Sequence, residues 1–157
     1  MPDDLIIRPA TEGDLEGVVA LYGQPGLDDG EILAFPEAKA IFARFATYPS
    51  YMLYVAELGG AVVGTFALLI MDNLGHLGAP SAIVEDVVVS PEHQSHGTGR
   101  SMMHFALDRA REAGCYKLTL SSNLKRERAH QFYDSLGFIR HGFSFRMDIP
   151  HEEGRAA

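Results

Sequence analysis

Two glycines in a polar loop follow a strand-like run that is rich in valine and isoleucine. The run "AIVEDVVV" continues directly into "SPEHQSHGTGRS", residues 90–101, which contains Gly97 and Gly99. Because glycine has no Cβ, a ligand can approach the main chain closely at both positions. A helical pattern follows, and the free N–H groups and dipole at a helix N-terminus favour an anion. Phosphate is therefore the ligand that this loop is predicted to bind.

Three kinds of phosphate-binding loop compete for this stretch. A mononucleotide P-loop has Lys and then Ser or Thr after its last glycine, whereas Arg100 and Ser101 follow Gly99 here. A dinucleotide loop has three glycines in the first βα turn of its fold, whereas "GTGRSM" has two and lies deep in the chain. The third pattern, Q-x-x-G-x-G, is matched by Gln94, Gly97 and Gly99.

The charges are divided unevenly along the chain. The formal net charge of -8 disfavours nucleic acid and anionic membranes as partners. Residues 1–99 hold three bases against 14 acids, whereas residues 100–157 hold ten bases against seven acids. Seven of the 13 bases lie between Arg100 and Arg128. This basic segment is either a solvated helix face or part of an anion site.

Hydrophobic periodicity predicts the elements that position the loop. Thr11 and Asp14 form an N-cap pattern before a helix, and Gly59-Gly60 predicts a hairpin turn. Helices are predicted in "DLEGVVALYG", "EAKAIFARFATY", the segment after Gly99 and the segment that ends at Gly137. Strands are predicted in "LIIRP", "YMLYVAEL", "AVVGTFALLIM", "AIVEDVVVS", "CYKLTLSS" and "FSFRMDI".

The segment 82–120 reads as strand, glycine loop, helix and strand, which is a βαβ unit with parallel strands. Since the preceding hairpin is antiparallel, the sheet is expected to be mixed, in an α/β or α+β domain. One domain is predicted over residues 1–150, followed by a disordered tail over 151–157. A single cysteine, no long apolar stretch and no signal-peptide pattern at the N-terminus predict a cytoplasmic location.

Two signatures at fixed spacing resemble the GCN5-related N-acetyltransferases. The first is "VEDVVVSPEHQSHGTGRSMM", and the second is "AHQFYDSLGF", in which Tyr133 precedes Leu136-Gly137-Phe138. The opening "IIRPATEGDLEGVVAL" is similar to the family's first strand and helix, so the resemblance covers nearly the whole chain. Within the family, "IVEDVVV" with "GCYKLTL" resembles glucosamine-phosphate acetyltransferases, and "LSSNLKRERAHQFYDSLGF" with "FSFRM" resembles aminoalkylphosphonate acetyltransferases.

The resemblance implies a GNAT fold with a mostly antiparallel sheet and a parallel βαβ unit that binds acetyl-CoA as cosubstrate. It implies that the backbone of three β-strand residues pairs with the pantetheine arm, and that the loop cradles the pyrophosphate. Lys125, Arg126 and Arg128 are either partners of the 3′-phosphate or surface residues. The implied binding residues are Val87, Val88, Val89, Gln94, Ser95, His96, Gly97, Thr98, Gly99, Arg100, Ser101, Asn123 and Tyr133.

The same resemblance implies Tyr133 as the general acid and Glu85 as the general base. An alkylamine is mostly protonated at neutral pH, so a carboxylate must accept its proton. Strand alternation puts Glu85 and Asp86 on opposite faces of the sheet, but a β-bulge would change that parity, so Asp86 stays an alternative base. Cys115 is interpreted as a structural thiol, no metal site is predicted, and His76 is a candidate to line the acceptor site.

The predicted function is acetyl transfer to the primary amine of a small molecule by a homodimeric enzyme. A protein or peptide acetyltransferase, a non-catalytic CoA-binding module and a nucleotide-phosphate enzyme are the alternatives. The motif resemblance favours a phosphonate or sugar-phosphate acceptor, whereas the acidic first 99 residues favour a polyamine. A phosphonate would need a base beside it, and Arg8, Lys39 and Arg44 are the three bases in that segment.

Overall fold

A computed structural model of the chain describes residues 4–150, which belong to two compact units that meet in sequence at Leu120. The first unit comprises residues up to 120, and the second begins at residue 121. The predicted tail, 151–157, lies outside the described residues. The prediction of one domain over residues 1–150 stays a prediction.

The first unit is built on a five-stranded sheet whose spatial order follows the chain. Its first four strands pair antiparallel with their neighbours, and the last strand pairs parallel with the fourth. The mixed, mostly antiparallel sheet predicted from the sequence is therefore confirmed. The strands are β1 (Ile6–Pro9), β2 (Tyr51–Leu58), β3 (Ala61–Met71), β4 (Ser81–Val89) and β5 (Leu118–Thr119).

Helices pack on the two faces of this sheet. On one face, Leu15 and Val18 of the first helix pack with Leu53, Val55 and Ala67 of the sheet. On the other face, Phe105 contacts the stacked rings of Tyr54 and Phe66, because neighbouring strand residues point to opposite faces. The helices of this unit are α1 (Leu15–Tyr22), α2 (Phe35–Phe45) and α3 (Thr98–Glu112), and α3 completes the predicted βαβ unit between β4 and β5.

Two predicted strands differ from the structure. The segment "CYKLTLSS" forms a strand only at Leu118–Thr119. The segment "FSFRMDI", residues 143–149, forms no strand, and its side chains of Phe143, Phe145 and Met147 are 87–92% exposed. Alternating apolar residues form a strand only where another strand offers backbone partners and a core covers one face. Neither condition can be read from the alternation itself.

Arg8 of β1 connects this strand to β2 and to the turn before α1. Its guanidinium donates to both carboxylate oxygens of Asp14, at 2.7 and 2.9 Å, and to Oε2 of Glu57 at 2.8 Å. The backbone N–H of Thr11 also donates to Asp14, which confirms the predicted capping pattern before α1. Arg8 and this N–H together hold the pKa of Asp14 at about 2, with the Arg8 hydrogen bonds as the main cause.

We expect Asp14→Asn to lower the free energy of unfolding at pH 7 by about 1–2 kcal/mol. A pKa lowered from 3.8 to about 2 corresponds to roughly 2.4 kcal/mol, and solvent at the one-third exposed Arg8 reduces this value. The stabilisation is complete above the unfolded pKa and is lost as pH falls toward 2. Urea unfolding at pH 7 and pH 3 measures it, with the exposed Asp4→Asn as control; equal losses in both variants would contradict it.

Candidate active site

The glycine loop leads directly into the N-terminus of α3. Gly97 is the N-cap residue of this helix and has a left-handed φ of 88°, a conformation that costs other residues energy. The first N–H groups of a helix have no acceptor within it, and Gly97 has no side chain to supply one. These N–H groups are therefore oriented to bind an anion in front of α3, as the sequence predicts.

Thr98 gives a second indication of a ligand at this helix start. Its side chain is 1% exposed, and its Oγ1 has no hydrogen-bond partner among the described residues. A buried hydroxyl without a partner is costly, so such groups usually mark a missing water or ligand. The helix start thus fits the phosphate groups of a CoA-type donor, which supply several acceptor oxygens. Arg100 is exposed beside it, and the Ser101 hydroxyl donates to the Gly97 carbonyl at 3.0 Å.

Two glutamine side chains donate hydrogen bonds to the backbone at the end of β4. Gln94 donates to the carbonyl oxygen of Val89 at 3.1 Å, and Gln24 donates to the same oxygen at 3.2 Å. Because a carbonyl oxygen has two lone pairs, this acceptor is fully used by the protein. Gln24, which belongs to no motif of the sequence, thereby connects the loop after α1 to the end of β4.

The outer edge of β4 is open over most of its length. In the described part of the chain, β5 pairs with β4 only at Ala82 and Ile83, whereas β4 continues to Val89. An extended molecule can add to such an edge through main-chain hydrogen bonds, as an additional strand does. The edge from residue 84 to 89 therefore fits the extended arm that the resemblance assigns to Val87, Val88 and Val89.

A β-bulge interrupts β4 at the candidate base. Glu85 pairs with Ala67 and Val88 pairs with Thr65, so Asp86 and Val87 together face the single residue between them on β3. Asp86 has a left-handed φ of 52°, which is uncommon for a residue with a Cβ. Simple alternation, which placed the two carboxylates on opposite faces, does not hold through this bulge. Bulges of this kind are frequent beside active sites, where they redirect a side chain.

Carboxylates and phenols gather on the α1 face of the sheet. Glu85 lies in one row with Ala67 and Leu53, and Tyr51 lies two residues along β2 on the same face. The Asp28 N–H donates to the carbonyl of Tyr22, the last residue of α1, at 3.0 Å. We call these five residues the acidic–aromatic cluster: Tyr22, Asp28, Tyr51, Glu85 and Asp86.

The members of the cluster influence each other's protonation. Partial burial raises the pKa of Glu85, and the neighbouring charge of Asp86 raises it further. Partial burial and the charge of Asp28 raise the pKa of Asp86 in the same way. Burial, and then the charge of Asp86, raise the pKa values of Tyr22 and Tyr51. A carboxylate with a raised pKa is a stronger base, which suits proton transfer from an amine.

Tyr133 lies in the second unit, in the last turn of α4 (Glu127–Ser135). The N–H groups of Gly137 and Phe138 donate to the carbonyls of Asp134 and Tyr133, and Gly137 has a φ of 91°. These are the two hydrogen bonds of a Schellman motif, and the Tyr133 and Phe138 rings meet edge to face at 5.7 Å. The signature Tyr133…Leu136-Gly137-Phe138 is thus a helix end that fixes the tyrosine ring. Burial raises the pKa of Tyr133 further above neutral pH, where a phenol already keeps its proton.

Other predicted residues have local structural roles. The Asn123 side chain accepts from the Lys125 N–H at 2.9 Å, which is a turn contact. Partial burial raises the pKa of Cys115, and its structural role stays a prediction. His76 stacks on Tyr116 at 4.0 Å.

Within residues 4–150, no three His, Cys, Asp or Glu side chains are grouped for a metal ion. No helix in this range is long and apolar enough to cross a membrane.

Three members of the acidic–aromatic cluster carry no motif in the sequence. Tyr22 and Tyr51 read as ordinary positions of apolar runs, and Asp28 lies in a loop without a motif. Their grouping arises from strand order and from the turn after α1, neither of which a motif records. The concentration of acids in residues 1–99 was the one available signal.

Comparison with known proteins gives three kinds of match. A family model described as "Acetyltransferase (GNAT) family" matches residues 17–138. The aminoalkylphosphonate N-acetyltransferase of Salmonella typhimurium is 30% identical over 139 residues, 88% of each chain. The probable glucosamine 6-phosphate N-acetyltransferase of Drosophila melanogaster is 31% identical, over 72% of this chain and 52% of its own. An acetyltransferase structure from Trypanosoma brucei matches with a TM-score of 0.79 and 29% identity, over 93% of this chain and all of its own.

Proposed function

Because the chain belongs to the acetyltransferase (GNAT) family and is an acyltransferase, we propose that it transfers the acetyl group of acetyl-CoA directly to the primary amine of a small molecule. The observation that carries this proposal is the open edge of β4, with Glu85 and Asp86 on the strand and a helix start beyond it. The family resemblance read from the sequence is confirmed, and so is the acyltransferase activity that it implies.

The chain binds the donor at two places that follow each other in sequence. The backbone of Val87 to Val89, apart from the occupied Val89 carbonyl, pairs with the pantetheine arm along the open edge. The N–H groups from Ser95 to Ser101 and the hydroxyl of Thr98 hold the pyrophosphate. When bound, acetyl-CoA supplies an acetyl group activated as a thioester.

Glu85 accepts the proton of the amine, directly or through a water molecule, so that the neutral nitrogen can attack. Partial burial and then the charge of Asp86 raise the pKa of Glu85, and Asp86 is the alternative base. A backbone N–H of β4 near Val87 stabilises the negative charge that develops on the carbonyl oxygen. Tyr133 donates its phenolic proton to the departing sulfur, and it enters the reaction protonated because the pKa of a phenol lies well above neutral pH.

Gly97→Ala is expected to weaken CoA binding by about tenfold or more, because a Cβ intrudes where the backbone meets phosphate. The left-handed φ also makes the substitution destabilising by about 1–2 kcal/mol. Gly78→Ala is the matched control, since Gly78 has a φ of 80° in another loop. Calorimetry with CoA and thermal unfolding of both variants separate the two effects. Equal CoA affinity in the two folded variants would remove the loop from the binding site.

The proposed function is tested by measuring CoA thiol release from acetyl-CoA over a panel of small amines. Amine-dependent release and an N-acetylated product identified by mass spectrometry support the proposal. CoA binding without release for any amine supports a non-catalytic binding module instead. Release only with peptides or proteins supports a protein acetyltransferase. Binding of ATP or NAD in place of CoA would indicate a nucleotide-phosphate enzyme.

The homodimer and the cytoplasmic location inferred at the outset stay predictions. Light scattering of the purified protein over a range of concentrations measures the assembly. A mass of 34 kDa, about twice the 17.2 kDa of one chain, is the expected result.

A further inference from the structure

The acidic–aromatic cluster borders the place where the proposed function puts the acceptor amine. Glu85 and Asp86 lie at the bulge of β4, and Tyr51 is on the same sheet face two residues from the row that contains Glu85. The Tyr51 ring stacks on Phe45 at 4.2 Å and meets Tyr48 edge to face at 5.4 Å. The acceptor side therefore combines carboxylates with a wall of aromatic rings.

The bases that an anionic acceptor would need are already engaged. Arg8 donates to Asp14 and Glu57, so its guanidinium serves the structure of the sheet. The Lys39 ammonium lies 3.3 Å from a carboxylate oxygen of Glu12. Of the three bases in residues 1–99, this leaves Arg44, which is exposed in the last turn of α2. A phosphonate or phosphate in the cluster would therefore face the three carboxylates of Asp28, Glu85 and Asp86, with Arg44 as the one unengaged base of the described residues 4–99.

We propose that the acceptor is an alkyl diamine or polyamine, a primary amine whose chain carries a further cationic nitrogen and no anionic group. The proposal rests on the proposed function and names the substrate class of the same site. The carboxylates of Asp28 and Asp86 attract the second ammonium while Glu85 deprotonates the first, and the aromatic rings add attraction for a cation. An anionic acceptor meets repulsion from the same groups, so this chain differs in acceptor from the phosphonate acetyltransferase that it resembles.

The first experiment compares 1,4-diaminobutane with butylamine, which has the same chain length and no second charge, and with 2-aminoethylphosphonate. At saturating acetyl-CoA and low salt, kcat/KM for the diamine is expected to exceed that for each of the others by about tenfold or more. Raising the salt to about 0.3 M shortens the Debye length and should raise KM for the diamine more than KM for butylamine. Equal use of diamine and monoamine overturns the proposal, and so does a preference for the phosphonate.

The second experiment removes one charge from the cluster without touching the proposed base. Asp28→Asn is expected to raise KM for the diamine about threefold to tenfold, with kcat within about twofold and KM for acetyl-CoA unchanged. Glu31→Gln is the control, because it removes one negative charge from the same exposed segment outside the cluster. An unchanged KM in Asp28→Asn overturns the proposal, as does an equal rise in both variants.

The outcomes separate this inference from the function on which it rests. Turnover of the phosphonate or of butylamine in preference to the diamine leaves the acetyltransferase proposal intact and overturns the acceptor class. Absence of turnover with every amine, in a folded protein that binds CoA, overturns both.

Discussion

Tyr133→Phe is expected to lower kcat by about 10²–10⁴ while the dissociation constant of CoA changes by no more than a few fold. The substitution removes only the hydroxyl, so the edge-to-face contact with Phe138 and the helix end around Gly137 remain. Proton donation to the departing sulfur acts in the transition state and not in the bound ground state. The loss should therefore appear in kcat and not in CoA affinity.

Pre-steady-state and steady-state rates at saturating substrates measure this effect, and calorimetry measures CoA binding. Tyr116→Phe is the matched control, since it removes the hydroxyl of an exposed tyrosine that stacks on His76. If kcat of Tyr133→Phe equals kcat of the wild-type protein while the chemical step limits the rate, Tyr133 has a packing role only.

Glu85→Gln is expected to lower kcat/KM by about 10²–10⁴ near pH 7, with the loss shrinking as pH rises. Wild-type Glu85 is ionised above its pKa and can accept the proton of an ammonium substrate. The variant has no carboxylate at this position to accept that proton, so it can react only with the free amine. The fraction of free amine rises about tenfold per pH unit up to an amine pKa near 10. A pH–rate profile from pH 6 to pH 10 should therefore show the two enzymes converging at high pH.

Glu16→Gln, on the exposed side of α1, is the charge-matched control for this profile. A loss of the same size at every pH would indicate that Glu85 has a positioning or structural role. Asp86→Asn would then be measured over the same range, because asparagine tolerates the left-handed φ of this position. A converging profile in Asp86→Asn instead would make Asp86 the base.

Local chemistry explains which features could be predicted from the sequence. The hairpin at Gly59-Gly60 was predictable because both residues need positive φ, and the structure has values of 58° and 81°. The glycine loop before α3 and the helix end at Gly137 follow from the same property. In each case a residue type with one special conformational freedom marks the feature, so nearby sequence is sufficient.

The features that were missed depend on residues far apart in sequence. The bulge at Asp86 is a shift in the pairing register between β3 and β4. This shift depends on both strands, and no residue in "AIVEDVVV" indicates it. The engagement of Arg8 depends on Glu57, 49 positions later. The strand predicted in residues 143–149 was wrong because its alternation says nothing about an available sheet edge.

With Tyr133 as the proposed general acid, its position at the end of a nine-residue helix has a consequence for thermal inactivation. Short helices open from their ends, and such local fraying needs less free energy than unfolding of the whole molecule. Loss of the last turn of α4 would release the phenol while the sheet of the first unit stays intact. We therefore expect activity to fall at a temperature below the melting temperature measured by circular dichroism, and to return on cooling. Coincident loss of activity and of structure would show that this helix end opens only when the protein unfolds.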